Sequence, residues 1–279
     1  MLIRNWKDFN SGFFRIVIAD YCFNLFTYLN SMVTLRVPNG TCKSCALADF
    51  FEDLGKENQN KTADFLYIFY FFHFGNAYFQ YSMTTLMSLN RATSIFFYFS
   101  NEKIWKVVFP TTIGLMIVIA VWFTRTILAS VPYYMYNESL DIYSITADTD
   151  ILSAYWNVIR YMAFAVLSSV ILNTSSVMKL KLMQQKLSTV ERNLLFATIT
   201  SSFVQCAAAA NTFLLQLDLK RTTLWGQFAQ LMLPFSSDFL TISQPYILIF
   251  LSSKVRTAMA NMYFSKNSKV NVMFTKTNE

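Results

Sequence analysis

The sequence predicts an all-α protein, a multi-pass transmembrane helical bundle, and three observations support that prediction. The 279-residue chain is 54% hydrophobic and only 14% charged, whereas soluble proteins contain about 25% charged residues. Its 23 basic and 16 acidic residues are too few to cover a soluble domain of this length. Six segments are apolar over the roughly 20 residues that a bilayer core about 30 Å thick requires.

The six predicted spans form a single helical membrane domain. The first is interrupted by polar residues such as Arg15, Asp20 and Asn24, whereas the last four are clearly apolar. Their length and their lack of strict polar–apolar alternation argue against transmembrane β-strands. The spans are predicted at 13–35, 65–89, 107–128, 156–178, 194–217 and 227–251.

The distribution of charge along the chain predicts its orientation. The N-terminus, the C-terminal tail and the loops on their side hold 15 of the 23 basic residues and four acids, whereas the opposite loops hold six basic residues and ten acids. This excess predicts that both termini are cytoplasmic. Three of the four glycosylation sequons, at Asn39, Asn60 and Asn137, fall in the predicted outer loops and agree with it, and the fourth, at Asn173, lies inside a span. Placement against the inner leaflet explains the net charge of +7, so no nucleic-acid partner is expected.

The segment 252–279 is predicted to be a cytoplasmic tail that contains a short amphipathic helix. Val255, Met259, Met262 and Tyr263 form an apolar stripe next to basic residues, which is typical of a helix on a membrane surface. Because no apolar run precedes residue 13, we expect no cleaved signal peptide, and the first span would direct insertion.

Few residues are suited to metal or redox chemistry. The single histidine, His73, excludes haem and di-iron membrane enzymes, which need several imidazole ligands. No cofactor, metal site or enzymatic activity is therefore predicted. Cys42 and Cys45 lie in the first outer loop, where an oxidising compartment favours a local disulfide.

Two acidic residues, Asp20 and Asp238, lie inside spans. A carboxylate at the bilayer centre costs roughly 2.5–3.5 kcal/mol, so both are expected to face the bundle. They are interpreted either as hydrogen-bonded acids that hold helices together, with Asn24, Asn76 or Gln244 as partners, or as sensors of protons or ions.

Three arginines near span ends each have two interpretations. Arg125 and Arg160 lie at similar depth near the outer ends of neighbouring spans and would either bind an acidic ligand or extend towards Asp148 and Asp150. Arg91, which follows Asn90 at the inner end of the second span, would either anchor the helix among headgroups or contact a partner in a cytosolic cavity.

Three motifs occur in a consistent order along nearly the whole chain. They are Phe13-Phe14-Arg15 opening a span through Asp20 to Tyr28-Leu29-Asn30, then Met87-Ser88-Leu89-Asn90-Arg91, and finally Asp238 through Gln244-Pro245-Tyr246 to Lys254-Val255-Arg256. In this order and spacing they resemble the nematode serpentine chemoreceptors, most closely serpentine receptor class gamma.

The resemblance implies a seven-helix receptor whose first helix is missing from this chain, because Phe13-Phe14-Arg15 opens the second helix in that family. It also implies that Asn90-Arg91 takes the place of the Asp-Arg-Tyr element of G-protein-coupled receptors, and Gln244-Pro245-Tyr246 that of their Asn-Pro-x-x-Tyr element. Two features depart from the receptor pattern. Asn90 cannot form the ion pair that an aspartate would offer Arg91, and the usual disulfide to the second outer loop is absent.

The predicted function is that of a chemosensory, G-protein-coupled-type receptor in the plasma membrane. A small-molecule ligand would bind in the outer half of the bundle, and a heterotrimeric G protein would bind the inner helix ends near Asn90 and Arg91. The candidate ligand-binding residues are Phe69, Phe72, His73, Trp122, Arg125 and Arg160.

A six-span transporter or channel is the alternative function. It would require an inverted half-repeat, or helices broken at matching positions in two halves. The spans contain few glycines, and Pro234 and Pro245 both lie in the last one. Transport therefore ranks second.

Overall fold

The computed structural model describes residues 11–56, 59–97, 100–147, 152–183, 189–218, 223–251, 255–257 and 260. Within this part of the chain, six long helices are accompanied by one short helix and one β-hairpin. Apart from 255–257 and 260, the predicted tail lies outside the described residues. The elements are α1 (Gly12–Asn39), α2 (Ala48–Asp53), α3 (Gln59–Phe96), α4 (Asn101–Leu128), β1 (Pro132–Asn137), β2 (Ile142–Ala147), α5 (Leu152–Met183), α6 (Thr189–Leu217) and α7 (Leu224–Leu251).

Each predicted span lies inside one long helix, and every helix extends beyond its apolar segment. Among the described residues, α1, α4 and Leu152–Leu182 of α5 are long and apolar enough to cross a membrane. Polar flanks lengthen the helices because a helix continues into the interfacial region wherever its backbone stays hydrogen-bonded. Large apolar side chains, including Val118, Phe164 and Phe203, remain exposed on the outer faces, as lipid-facing surfaces require.

Helix α3 lies at the centre of the bundle. It packs against α1, α4, α5 and α6, while α7 packs against α6 and α1. Its core-facing residues Tyr78, Tyr81 and Met83 are almost completely buried. Because the long helices alternate in direction, one end of the bundle contains the β-hairpin and the other contains Arg91. These are called the hairpin end and the Arg91 end below.

Helix α1 changes its hydrogen-bonding pattern near the hairpin end. Met32–Arg36 is a π-helical segment between α-helical parts. Pro38 lies two residues after Arg36 and has no backbone N–H, so the regular i→i−4 pattern cannot continue there. The Val33 carbonyl in this segment accepts a hydrogen bond from the Tyr134 hydroxyl at 2.8 Å. The π-helical segment thereby ties α1 to strand β1.

A small cap covers the hairpin end, and the sequence analysis did not predict it. Strands β1 and β2 pair antiparallel, with Pro132 opposite Ala147 and Asn137 opposite Ile142. The cap has its own apolar core, and a disulfide joins Cys42 to Cys45 just before α2. The core consists of Ala48, Phe51, Leu54, Leu66, Tyr134 and Tyr143.

Asp141 joins the hairpin turn to the first loop of the cap. Its Oδ1 atom accepts hydrogen bonds from the Tyr136 hydroxyl at 2.6 Å and from the Lys43 backbone N–H at 3.0 Å. These bonds lower the pKa of Asp141, and the bond to Asp141 raises the pKa of Tyr136 to about 12. Both shifts favour the ionised carboxylate together with the protonated phenol.

The stability of the cap should therefore depend on pH at both extremes. The lowered pKa of Asp141 means that its contribution is present above its ordinary pKa near 4 and is lost as pH falls through the folded value. The contribution of Tyr136 is present below its ordinary pKa near 10 and is lost as pH rises through about 12.

Proteolysis between the strands should be faster in Asp141→Asn than in wild type at pH 7.5. Glu138→Gln, in the same turn, is the control and should match wild type.

Candidate functional site

A cavity of about 120 Å³ lies between the helices in the hairpin half of the bundle. Residues of α1, α3, α5, α6 and α7 line it, so five of the six long helices meet around one space. Its polar side includes Asn30, Thr34, His73 and Asn76. A cavity between several helices is the arrangement in which bundles hold small ligands.

The π-helical segment shapes the α1 wall of this cavity. The Thr34 hydroxyl donates to the Asn30 carbonyl at 3.1 Å and lies 3.1 Å from His73 Nδ1. If the hydroxyl donates its one proton to Asn30, His73 donates through Nδ1–H in the second contact, and its Nε2 is available to the cavity.

Two side-chain amides of the cavity lining each have one polar atom without a partner among the described residues. Asn30 and Asn76 are each 3% exposed. Among the described residues, Asn30 Oδ1 and Asn76 Nδ2 have no hydrogen-bond partner. No charged side chain belongs to the described lining. The site is therefore polar and electrically neutral.

Of the six residues that the sequence predicted for ligand binding, the structure places only His73 at the cavity. Phe72 packs edge-to-face on Phe26 and Phe69 on Phe65, on other faces of α3. Trp122 is 60% exposed on α4, which does not border the cavity. The other two are also exposed, with Arg125 stacked on Trp122 and Arg160 on α5.

Beside the cavity, an ion pair joins Arg36 of α1 to Asp238 of α7. The Arg36 guanidinium also stacks on Tyr28 at 4.6 Å, and its Nε donates to the Ser31 hydroxyl at 3.1 Å. The first span was predicted to end at residue 35, which would place Arg36 in the outer loop, and only polar partners were expected for Asp238. Continuation of α1 through the π-helical segment brings Arg36 into the bundle instead.

Asp20 lies deeper in the bundle, in a polar chain between α1 and α3. Asn24 Nδ2 donates to Asp20 Oδ2 at 2.9 Å, and Gln80 Nε2 donates to Asn24 Oδ1 at 3.1 Å. Asp20 is only 2% exposed. The chain links the floor of the cavity, to which Gln80 belongs, to the middle of the bundle.

The Arg91 end is closed in this structure. Asn90 and Arg91 are 1% and 8% exposed, and the Arg91 guanidinium lies 3.8 Å from the ring centre of Phe13. Gly12 packs against Trp105 beside Asn90. A partner can reach Arg91 only after the helix ends separate.

A hydrogen-bonded asparagine holds three helices together in the Arg91 half. Asn173 Nδ2 donates to the hydroxyls of Ser88 and Ser202, and its Oδ1 accepts from Thr198 at 3.3 Å. In the last motif, Gln244 donates to Thr84 at 3.4 Å. Tyr246 is 57% exposed and faces away from the core.

The three sequons belong to the hairpin end. Asn39 ends α1, Asn60 lies in the first turn of α3, and Asn137 ends β1. Asn137 Oδ1 accepts hydrogen bonds from the backbone N–H and the hydroxyl of Ser139, at 3.0 and 2.7 Å. The three asparagines belong to three different elements, and all of them lie on the side of the cap.

Comparison with known proteins identifies the family. The family model described as Srg family chemoreceptor matches residues 1–259. The chain belongs to the Srg chemoreceptor family. As a member of this family it is a chemoreceptor of the serpentine, seven-helix type, and its apolar helices belong to a multi-pass membrane protein.

Two curated relatives from Caenorhabditis elegans are similar to this Srg chain. Serpentine receptor class gamma-31 is 29% identical over 267 residues, which cover 94% of this chain and 85% of the relative. Serpentine receptor class gamma-2 is 24% identical over 175 residues, or 61% of this chain and 52% of the relative. These relatives confirm the resemblance that the three sequence motifs indicated.

Proposed function

We propose that this Srg receptor detects a small molecule in the cavity between α1, α3, α5, α6 and α7 and signals at the Arg91 end. The observation that carries the proposal is the cavity itself, which five helices line and in which Asn30 Oδ1 and Asn76 Nδ2 have no partner among the described residues. An open groove of about 700 Å³ lies on the outer faces of α6 and α7. Lipid has access to that groove, so we assign ligand binding to the cavity between the helices.

In the proposed orientation, the hairpin end faces the exterior of the plasma membrane and the Arg91 end faces the cytosol. The charge distribution supports it, because 15 of the 23 basic residues belong to the side that contains Arg91. The Cys42–Cys45 disulfide and the positions of Asn39, Asn60 and Asn137 also support an exterior hairpin end.

Signal transfer would use movements of the helix ends. Arg91 is held against Phe13, so binding of a heterotrimeric G protein to Asn90 and Arg91 requires α1 and α3 to separate there. A ligand shifts this equilibrium only if it binds the open form more tightly. The polar chain from Gln80 to Asp20 is a physical connection between the cavity and the inner half of α1.

Nucleotide exchange tests the receptor assignment. Membranes containing the full chain and a heterotrimeric G protein would be exposed to a panel of small neutral volatiles, acids and amines. We expect at least one compound to accelerate GTP-analogue binding in a saturable manner. Ion flux or substrate uptake in vesicles with this chain alone, without any exchange response, would contradict the proposal and favour a transporter.

A further inference from the structure

We infer that the cavity binds a small, uncharged ligand with a hydroxyl or carbonyl group, which hydrogen-bonds to the carboxamides of Asn30 and Asn76. This inference rests on the proposed function, because it names the ligand class for the same cavity. Hydrogen bonding, charge and volume each restrict the ligand independently.

The hydrogen-bonding restriction comes from Asn30 and Asn76. Both carboxamides line the cavity and are 3% exposed, yet Asn30 Oδ1 and Asn76 Nδ2 have no partner among the described residues. More than about 90% of buried polar groups in proteins are hydrogen-bonded, because an unpaired one loses its hydration without compensation. A ligand hydroxyl supplies a donor for Asn30 and an acceptor for Asn76, whereas a carbonyl supplies the acceptor.

The electrostatic restriction comes from the absence of counter-charges. The described lining contains no Asp, Glu, Lys or Arg. The nearby Arg36 and Asp238 form an ion pair with each other. An ionised ligand would lose its hydration without gaining a partner of opposite charge, which strongly disfavours binding. The cavity therefore selects against carboxylates and ammonium ions.

The size restriction comes from the cavity volume of about 120 Å³. An engineered protein cavity of about 150 Å³ binds benzene. A compound with a single small ring is therefore close to the capacity of this space. Leu35, Val158, Met162 and Leu240 supply an apolar wall for its hydrocarbon part.

Four probes with one ring and different substituents test the inference. Toluene, benzyl alcohol, benzoate and benzylammonium would be titrated at pH 7 against the full chain in nanodiscs, with saturation-transfer NMR as the readout. Protein-free nanodiscs correct for partition into lipid. We expect benzyl alcohol to bind about fivefold more tightly than toluene and at least tenfold more tightly than either ion. Equal binding of an ion, or no binding above protein-free nanodiscs, would overturn the inference.

Matched variants then assign the preference to the two asparagines. The double variant Asn30→Leu/Asn76→Leu should bind toluene but lose its preference for benzyl alcohol. Gln230→Leu is the control, because Gln230 is 2% exposed and its Oε1 also lacks a partner among the described residues, yet it does not line the cavity. This control should keep the preference. An unchanged preference in the asparagine double variant would refute the assignment.

Failure of the ligand class and failure of the receptor function are distinguishable, because binding in nanodiscs requires no G protein. Selective binding of benzyl alcohol supports the inferred class even if no compound stimulates nucleotide exchange, an outcome that would count against coupling alone. Exchange that only benzoate or benzylammonium stimulates would support the receptor and overturn the ligand class.

Discussion

Replacing Arg36 with methionine is expected to lower the free energy of unfolding by about 1–2 kcal/mol, because the change leaves the partly buried Asp238 without its counter-charge. Asp238→Leu should have a similar effect, since it leaves Arg36 without its counter-charge. The double variant Arg36→Met/Asp238→Leu should recover most of the loss, because an ion pair that is partly removed from water can be exchanged for apolar residues at little net cost. Unfolding of the purified chain in detergent micelles, followed by circular dichroism, measures these differences.

Arg160→Met is the matched control for this series. Arg160 lies on α5, is exposed, and forms no ion pair among the described residues. Its replacement should change the free energy of unfolding by less than about 0.5 kcal/mol. If Arg36→Met and Arg160→Met are equally destabilised, or if the double variant is no more stable than the singles, Arg36 and Asp238 do not stabilise the bundle as a pair.

Gly12→Ala is expected to destabilise the Arg91 end by about 1–3 kcal/mol through overpacking. A β-carbon at Gly12 would lie 2.8 Å from Trp105 Cβ and 3.3 Å from Asn90 Nδ2. Trp105 is 1% exposed and its indole N–H donates to Thr93 at 2.8 Å, so the ring has no free space to move into. The same unfolding measurement detects the loss.

Gly114→Ala provides the opposite expectation. Gly114 lies inside α4, and a β-carbon there would meet nothing within 4 Å. In a helix interior, alanine is more favourable than glycine by about 0.8–1 kcal/mol. This variant should therefore be as stable as wild type or more stable. Similar effects of the two substitutions would show that helix propensity, rather than close packing at Gly12, determines the result.

The positions of the long helices could be predicted from the sequence because a bilayer sets a minimum length for an apolar segment. The face of each helix that points inward could not be predicted from the sequence. Lipid is as apolar as the protein core, so the outward and inward faces of α4 or α6 do not differ in hydrophobicity as they do in a soluble protein. For this reason Phe69, Phe72 and Trp122 were candidates for ligand binding, although they do not line this cavity.

The polar residues of the site were visible in the sequence but their pairing was not. Asn30 stood out only as the end of the first sequence motif, and Asn76 only as a partner for an acid. Their common position at the cavity depends on the packing of α1 against α3. The pairing of Arg36 with Asp238 depends on the π-helical segment, for which Pro38 is the local signal.

The hairpin has a signal in the sequence that differs from that of the spans. Residues 132–137 and 142–147 are rich in tyrosine and β-branched residues and flank the short turn Glu138-Ser139-Leu140-Asp141. Two such runs around a short turn are typical of a β-hairpin. The signal is short, and it lies between spans, where a loop is the simplest expectation.

Parallel measurement of binding and nucleotide exchange in two variants tests the central claim most directly. Ala77→Leu fills the cavity, and Arg91→Ala removes the charge at the opposite end of α3. With the compound that most strongly activates wild type, Ala77→Leu should lose binding and exchange together. Arg91→Ala should retain binding while exchange falls at least tenfold. If Ala77→Leu binds the compound and stimulates exchange as wild type does, the ligand site is not in the cavity. If Arg91→Ala stimulates exchange as fully as wild type does, coupling does not use Arg91.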